Sequence, residues 1–473
     1  MTSTIIELLA DLEAGRATAT QLVTDALERL EAKQAEYHIA LSDARERALE
    51  RAKAVDEARA AGEALGRLAG IPFIAKDNFL TFGTTTTAAS KILEGFEAPY
   101  QATSIERLEA EGAIMIAKAN LDAFAHGSST ENSYYGPTKN AVDPTRVPGG
   151  SSGGSATAVA LDVVPFALGS DTGGSIRQPA SLSGVIGIKP TYGLVSRFGV
   201  VAMASSTDTI GAFARTAEDI ALVMDVMAGR DERDSTTIPD LPQSLMPADN
   251  EVGRLKIGVV KEYMTDAVQP EIRDAVTKRV EQLRALGHDV EEVSIPSLDL
   301  ALAIYYIVIP AEISSNLSRY DGIKYGLSAK EAKNLDEVYG LTRDQGFMAE
   351  NKRRILIGTY VLSSGYYDAY YRKAQTARTI LINEFNKVFA DYDMLIGPVS
   401  PTTAFKLGEN TDDPLKMYLE DIMTVAVSLA GLPAISVPSG ADGQGLPIGV
   451  QLIGKQKSDG MLLAVTKQME EAK

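Results

Sequence analysis

Along residues 1–66 the apolar positions recur at a helical period. Thr18-Ala19-Thr20-Gln21 matches a capping box, and Leu22, Val23, Ala26, Leu27 and Leu30 then fall on one face. Residues 42–61, rich in Ala, Arg and Glu, predict a second helix. From about 68 the pattern changes to short apolar runs. Those at 70–75, 113–117, 163–168 and 185–188 predict strands, with helices near 102–111 and 153–161 between them. Such alternation argues for an α/β fold around a mixed or largely parallel sheet.

The stretch 229–253 is acidic and carries Pro239, Pro242 and Pro247, which predicts a long surface connection. A strand–helix–strand unit follows at 255–260, 270–286 and 290–295. Leu286-Gly287-His288 reads there as a helix end leading into a strand, which gives His288 a scaffold role. Tyr-rich helical sequence runs from about 298 to 390, and strand-like segments return at 394–396, 434–437 and 448–453. No internal repeat is visible. The expectation is one large sheet-centred domain with a helical insertion.

Composition narrows the chemistry. The 473 residues contain no cysteine, which excludes disulfides, thiolate metal sites and Cys nucleophiles, and only three histidines, which argues against a His-rich metal centre. Net charge is −17, from 46 basic and 63 acidic residues, and no Lys/Arg run resembles a phosphate-tracking surface. If the protein serves RNA, another chain must hold it. The apolar runs, such as 163–169, read as too short to span a bilayer, and the first residues lack the basic start and apolar core of a signal peptide. A cytoplasmic location with no membrane contact is the expectation.

Two Gly/Ser clusters carry the remaining signal: Gly149-Gly150-Ser151-Ser152-Gly153-Gly154-Ser155 and Asp171-Thr172-Gly173-Gly174-Ser175. Such a run is often a linker, but apolar helical sequence follows the first at once, so it opens a helix instead of joining two bodies. Glycines let backbone N–H groups approach a reacting carbonyl, and a loop-to-helix junction aims them outward at an oxyanion. Gly149–Ser152 with Gly153 also fits the G-x-S-x-G elbow, but the loop 143–148 stands where a strand is needed, and His288 is the single downstream histidine. Neither cluster has the Gly-Lys-Ser/Thr ending of a phosphate loop. Lys76 lies between apolar residues in Ile71-Pro72-Phe73-Ile74-Ala75-Lys76-Asp77-Asn78-Phe79. Lysine is disfavoured there unless paired or neutral, and a neutral lysine is a general base. The three places together suggest a serine nucleophile that works without histidine.

On these residues, and on Gly127-Ser128-Ser129-Thr130-Glu131-Asn132-Ser133 and Gly431-Leu432-Pro433-Ala434-Ile435-Ser436-Val437-Pro438, the chain resembles the amidase signature family essentially end to end. Ser129–Ser133, Lys352-Arg353-Arg354-Ile355 and Gly365-Tyr366-Tyr367-Asp368-Ala369-Tyr370-Tyr371 are similar to its tRNA-dependent amidotransferase branch. The resemblance implies one domain, 1–473: a central mixed β-sheet covered by helices on both faces. Within it fall N-terminal helices 1–66, signature core 67–228, surface connection 229–253, strand-helix unit and insertion 254–390, and return to the sheet 391–473. It implies Ser175 as nucleophile, Ser151 as bridging serine beside a cis peptide, and Lys76 as terminal base. Backbone N–H groups of Thr172, Gly173, Gly174 and Ser175 would form the oxyanion hole. Arg354 would hold the carboxylate of glutamine, Asp421 its ammonium, and one of Tyr305 and Tyr306 would line the pocket.

The implied activity is that of a glutaminase subunit. It would supply ammonia to a partner that uses ATP to convert glutamate on tRNA to glutamine, within a heterotrimer with subunits B and C. No cofactor is expected on this chain; ATP and Mg2+ would belong to the partner, as would tRNA. A free-standing amidase acting on small amides is the alternative, and a neutral substrate would need neither Arg354 nor Asp421. The sequence departs from the branch at Ala123, usually glutamate, at His126, usually methionine, and over 206–212.

Overall fold

A computed structural model describes residues 3–239, 244–245 and 252–472. Its strands are β1 (Ala40–Asp43), β2 (Pro72–Lys76), β3 (Ile114–Ala119), β4 (Phe166–Asp171), β5 (Ile186–Lys189), β6 (Thr209–Ala214), β7 (Lys256–Val260), β8 (Asp289–Val293), β9 (Met394–Pro398), β10 (Ala434–Ala441) and β11 (Pro447–Gly454). They form one 11-stranded sheet in the order β1-β3-β2-β4-β6-β5-β10-β11-β9-β7-β8. The sheet is mixed: β2 runs parallel to β3 and β4, and β7 to β8 and β9, while β4–β6, β6–β5, β5–β10 and β10–β11 are antiparallel.

The central strands are apolar without alternation because both faces of the sheet are covered. In β2, Phe73 and Ala75 join one core with Phe166 and Leu168, while Ile74 between them joins the opposite core with Ala117, Ala167 and Phe213. The first core is closed by the helices Ala217–Met227, Pro270–Ala285 and Asp459–Glu471. The second is closed by Ala19–Tyr37 and Gly153–Ala160, and a separate third core forms under Ala301–Asn316 and Lys373–Asp391. Fold class and helical insertion are thus as the sequence implied.

Two expectations change. The connection at 229–253 is not merely superficial where it is described. Asp231 is buried and accepts from Thr103 and from Ser196 Oγ (2.7 Å), and Asp234 is gripped by Arg197 through two hydrogen bonds of 3.0 and 3.1 Å. Pro242 and Pro247 lie outside the described residues. The expectation that the apolar runs are too short to cross a bilayer also changes. The helical stretch Pro296–Arg319 has 24 residues and a mean hydropathy of 1.5, long and apolar enough by composition. It lies inside the protein, packed against Ala349–Leu362 and Lys373–Asp391, so its apolarity is that of a core helix.

Candidate active site

Parallel pairing sets the first element of the site. Lys76 ends β2, and Ser170 and Asp171 end the neighbouring parallel strand β4, so all three emerge at the same sheet edge. Lys76 Nζ lies 2.8 Å from Ser151 Oγ, 3.0 Å from Ser170 Oγ and 3.3 Å from the Ser170 carbonyl. A charged ammonium would donate to all three. A neutral amine keeps two donors and can accept the Ser151 hydroxyl proton. Burial pushes the Lys76 pKa down to about 7, against the pull of Asp122, Asp171 and Asp208. The amine is thereby poised to take a proton at neutral pH.

Ser151 sits in the turn that opens the helix Gly153–Ala160, and its peptide bond with Gly150 is cis. The second cluster meets this turn directly: Ser152 N–H donates to the Ser175 carbonyl at 3.2 Å. Gln178, in the short helix Arg177–Ser183, braces the two. Its Oε1 accepts from Gly150 N–H and its Nε2 donates to the Ser128 carbonyl, both at 2.9 Å. The Ser175 loop is shaped by a buried ion pair. Asp171 receives Arg177 Nε and Nη2 at 3.0 Å, and also the N–H groups of Gly174 (2.9 Å) and Ile176 (3.2 Å). Burial alone would raise the Asp171 pKa, but the Arg177 charge and its hydrogen bonds hold it below the usual range. The Gly174 N–H is therefore turned to Asp171. Of the four backbone donors implied for an oxyanion, those of Thr172, Gly173 and Ser175 are the ones not engaged by that carboxylate.

Glycine is required at Gly174, where φ is +142° and a Cβ would run into the Thr424 side chain. At Gly173 a Cβ would stand 2.5 Å from the Tyr305 hydroxyl oxygen, so Tyr305 packs on this loop. Tyr306 serves the other end of the site. Its ring stacks on Tyr418 at 3.9 Å, lies 5.3 Å from the Arg354 guanidinium, and its hydroxyl approaches Asp421 Oδ2 at 3.5 Å. Both tyrosines therefore face the site, at different places.

Arg354 and Asp421 do not touch each other; Tyr306 stands between them. Arg354 is buried on Ala349–Leu362, a helix drawn close to Ala301–Asn316 because Gly358 packs against the Pro310 carbonyl. Its Nε donates to Glu350 Oε1 at 2.7 Å. Asp421 accepts from Ser128 Oγ at 2.7 Å, and burial raises its pKa to about 7 despite that bond and the Arg354 charge. Arg354, Tyr418, Ser129 and Asp122 line a cavity of about 210 Å³. Ser128 and Ser129 also pack against Gly150, so the back of this wall is the Ser151 turn. Lys76, Ser151 and Ser175 themselves lie outside the lining.

Sequence reasoning singled out Asp171 only as part of the second cluster, without a role, and missed Ser170, Arg177 and Gln178. The Asp-Thr-Gly-Gly-Ser-Ile-Arg spacing held the one available signal, an acid and a base flanking a glycine loop.

The site thus sets Ser151 Oγ 2.8 Å from a buried lysine and one backbone hydrogen bond from the Ser175 loop, on a mixed sheet covered on both faces. The model of the family described as Amidase matches residues 21–463, and the chain belongs to that family. It is 53% identical to the glutamyl-tRNA(Gln) amidotransferase A-subunit of Picosynechococcus sp., over 99% of this chain and 98% of the relative. The corresponding protein of Nostoc punctiforme is 52% identical over the same shares. Among solved structures, the glutamyl-tRNA(Gln) amidotransferase A-subunit from Thermotoga maritima superposes with a TM-score of 0.80 at 40% identity, covering 96% of this chain and 91% of that one.

Proposed function

We propose that the chain is the glutamine-hydrolysing subunit of a tRNA-dependent amidotransferase. The observation that carries the chemistry is the 2.8 Å contact of a buried, readily neutral Lys76 with Ser151, one hydrogen bond away from the Ser175 loop. Ser175 Oγ attacks the carboxamide carbon of glutamine and passes its proton to Ser151, whose own proton moves to Lys76 Nζ. Negative charge develops on the amide oxygen, facing the N–H groups of Thr172, Gly173 and Ser175. The intermediate collapses as the proton returns through Ser151 to the leaving nitrogen. Ammonia departs and a glutamyl ester remains on Ser175. Water attacks the ester by the same relay and releases glutamate.

Arg354 pairs with the substrate carboxylate, and Asp421 with its ammonium. The three relatives are named as A-subunits of an amidotransferase, which supports assembly with further subunits. In this reading those are subunits B and C of a cytoplasmic heterotrimer, and the partner binds ATP, Mg2+ and glutamylated tRNA. The acidic chain, at −17, suits a protein that leaves nucleic acid to others.

The test is ammonia release from glutamine by the chain alone and with its co-purifying partners, beside Ser175→Ala. Stimulation by partners, ATP and glutamylated tRNA, lost in the variant, is expected. Vigorous partner-independent hydrolysis of simple amides with glutamine ignored would overturn the proposal.

A further inference from the structure

His126 occupies a position that the relay does not use. It is completely buried, yet it lines the cavity that Arg354 faces. Its Nδ1 lies 2.8 Å from Asn351 Nδ2. The orientation of that amide is settled by its other contacts, because Nδ2 also donates to the Ala123 carbonyl at 2.8 Å and Oδ1 accepts from Met348 N–H at 3.2 Å. Asn351 therefore presents a donor, and His126 Nδ1 must accept. The ring proton is then on Nε2. That N–H is buried and has no hydrogen-bond partner among the described residues. A buried donor left unpaired is costly, and a ligand that supplies an acceptor recovers the cost. Burial, and then the charge of Arg354, hold the ring well below its ordinary pKa, so it stays a neutral donor beside a cation.

The rest of the wall says what the acceptor is. Glu350 is already engaged by Arg353 and by Arg354 Nε, and Asp122 accepts from the N–H groups of Thr130 and Asn132. Glu131 also lines the cavity; its Oε1 accepts from Gly408 N–H, while its buried Oε2 has no hydrogen-bond partner among the described residues. The terminal nitrogens of Arg354 have no hydrogen-bond partner among the described residues, although the guanidinium lies over the rings of Tyr306 and Tyr418. His126 and Arg354 line the same cavity, which is where a planar anion paired with the guanidinium would sit.

We propose that His126 is a further substrate-binding residue, whose Nε2–H donates to the α-carboxylate that Arg354 pairs with. The inference rests on the glutaminase reading. It gives this chain a neutral third donor to the carboxylate.

The experiment compares the complex carrying His126→Met or His126→Gln with the parent complex, on glutamine and on 4-aminobutanamide, which keeps the carboxamide and ammonium but lacks the α-carboxylate. Melting temperatures confirm folding. With His126→Met, the KM for glutamine should rise about tenfold or more with kcat little changed, the loss expected for one hydrogen bond to a charged group. The KM for 4-aminobutanamide should not move. His126→Gln, which restores an N–H donor, should recover part of the loss. An unchanged KM for glutamine, or an equal rise for both amides, would overturn the role of His126 while leaving the glutaminase reading standing. A parent complex that does not hydrolyse glutamine would overturn both.

Discussion

Replacing Lys76 by methionine removes the amine but keeps an unbranched chain in a slot with no solvent exposure. In the folded protein burial pushes this pKa down to about 7; the unfolded chain returns it to about 10.4. Between those values the unfolded state holds a proton that the folded state has released. The lysine therefore destabilises the fold in full below pH ~7, and the penalty fades as pH rises toward ~10. It amounts to about 4 kcal/mol at pH 7 and less than about 1 kcal/mol at pH 10. Methionine carries no such term. The hydrogen bonds lost to Ser151 and Ser170 add an offset that does not vary with pH in this range. Asp122, whose burial raises its pKa to about 6, titrates below the window. Urea unfolding of both proteins at pH 7, 8, 9 and 10, followed by circular dichroism, reads the difference. The stability of Lys76→Met relative to the parent should fall by about 3 kcal/mol across the series. A difference independent of pH would show that Lys76 stays charged when folded, and the base assignment would fail with it.

Gly174→Ala should lower the kcat for glutamine by about 10²–10³, since it distorts the loop that presents the oxyanion donors. Adding Thr424→Ala should not restore activity, because the positive φ persists after the clash is gone. Asp171→Asn leaves Arg177 buried without its counter-charge and should cost about 3–5 kcal/mol in urea unfolding; an unaltered midpoint would contradict the pairing. The KM for glutamine should rise roughly tenfold between pH 7.5 and 6 as Asp421, with its pKa near 7, loses the charge that holds the ammonium. Asp421→Asn should flatten that profile and raise KM throughout.

Much of the fold is legible in the chain because its signals are local. Continuous apolar runs mark the buried strands. The run 163–168 does place a strand, but Val163 and Val164 form its approach and the pairing begins at Phe166. β6 carries no such mark, since Thr209-Ile210-Gly211-Ala212-Phe213-Ala214 is short and glycine-bearing; it is a strand because β4 and β5 pair with it on either side. An isolated lysine among apolar residues asks for a partner, and Ser151 stands where that partner is needed. Partners brought by tertiary pairing are not legible. Gln178 and Ser170 are ordinary in sequence and acquire meaning only when two turns and a strand end converge. The tautomer of His126 is set by Asn351, which lies in the insertion, so spacing could not show it.

The Arg177 side chain does more than pair with Asp171. It also donates to the Thr424 carbonyl (3.1 Å) and Ser428 Oγ (2.9 Å), and approaches Gln451 Oε1 at 3.4 Å. Every group of the proposed relay is encoded before residue 176, but the Thr424, Ser428 and Gln451 groups that seat Arg177 beside the Ser175 loop are encoded after residue 420. During synthesis a nascent chain thus carries the proposed base and nucleophile for more than half its length before the residues that seat their loop exist. On the proposed mechanism, competence arrives only with the last strands, and a prematurely terminated product should release no ammonia from glutamine.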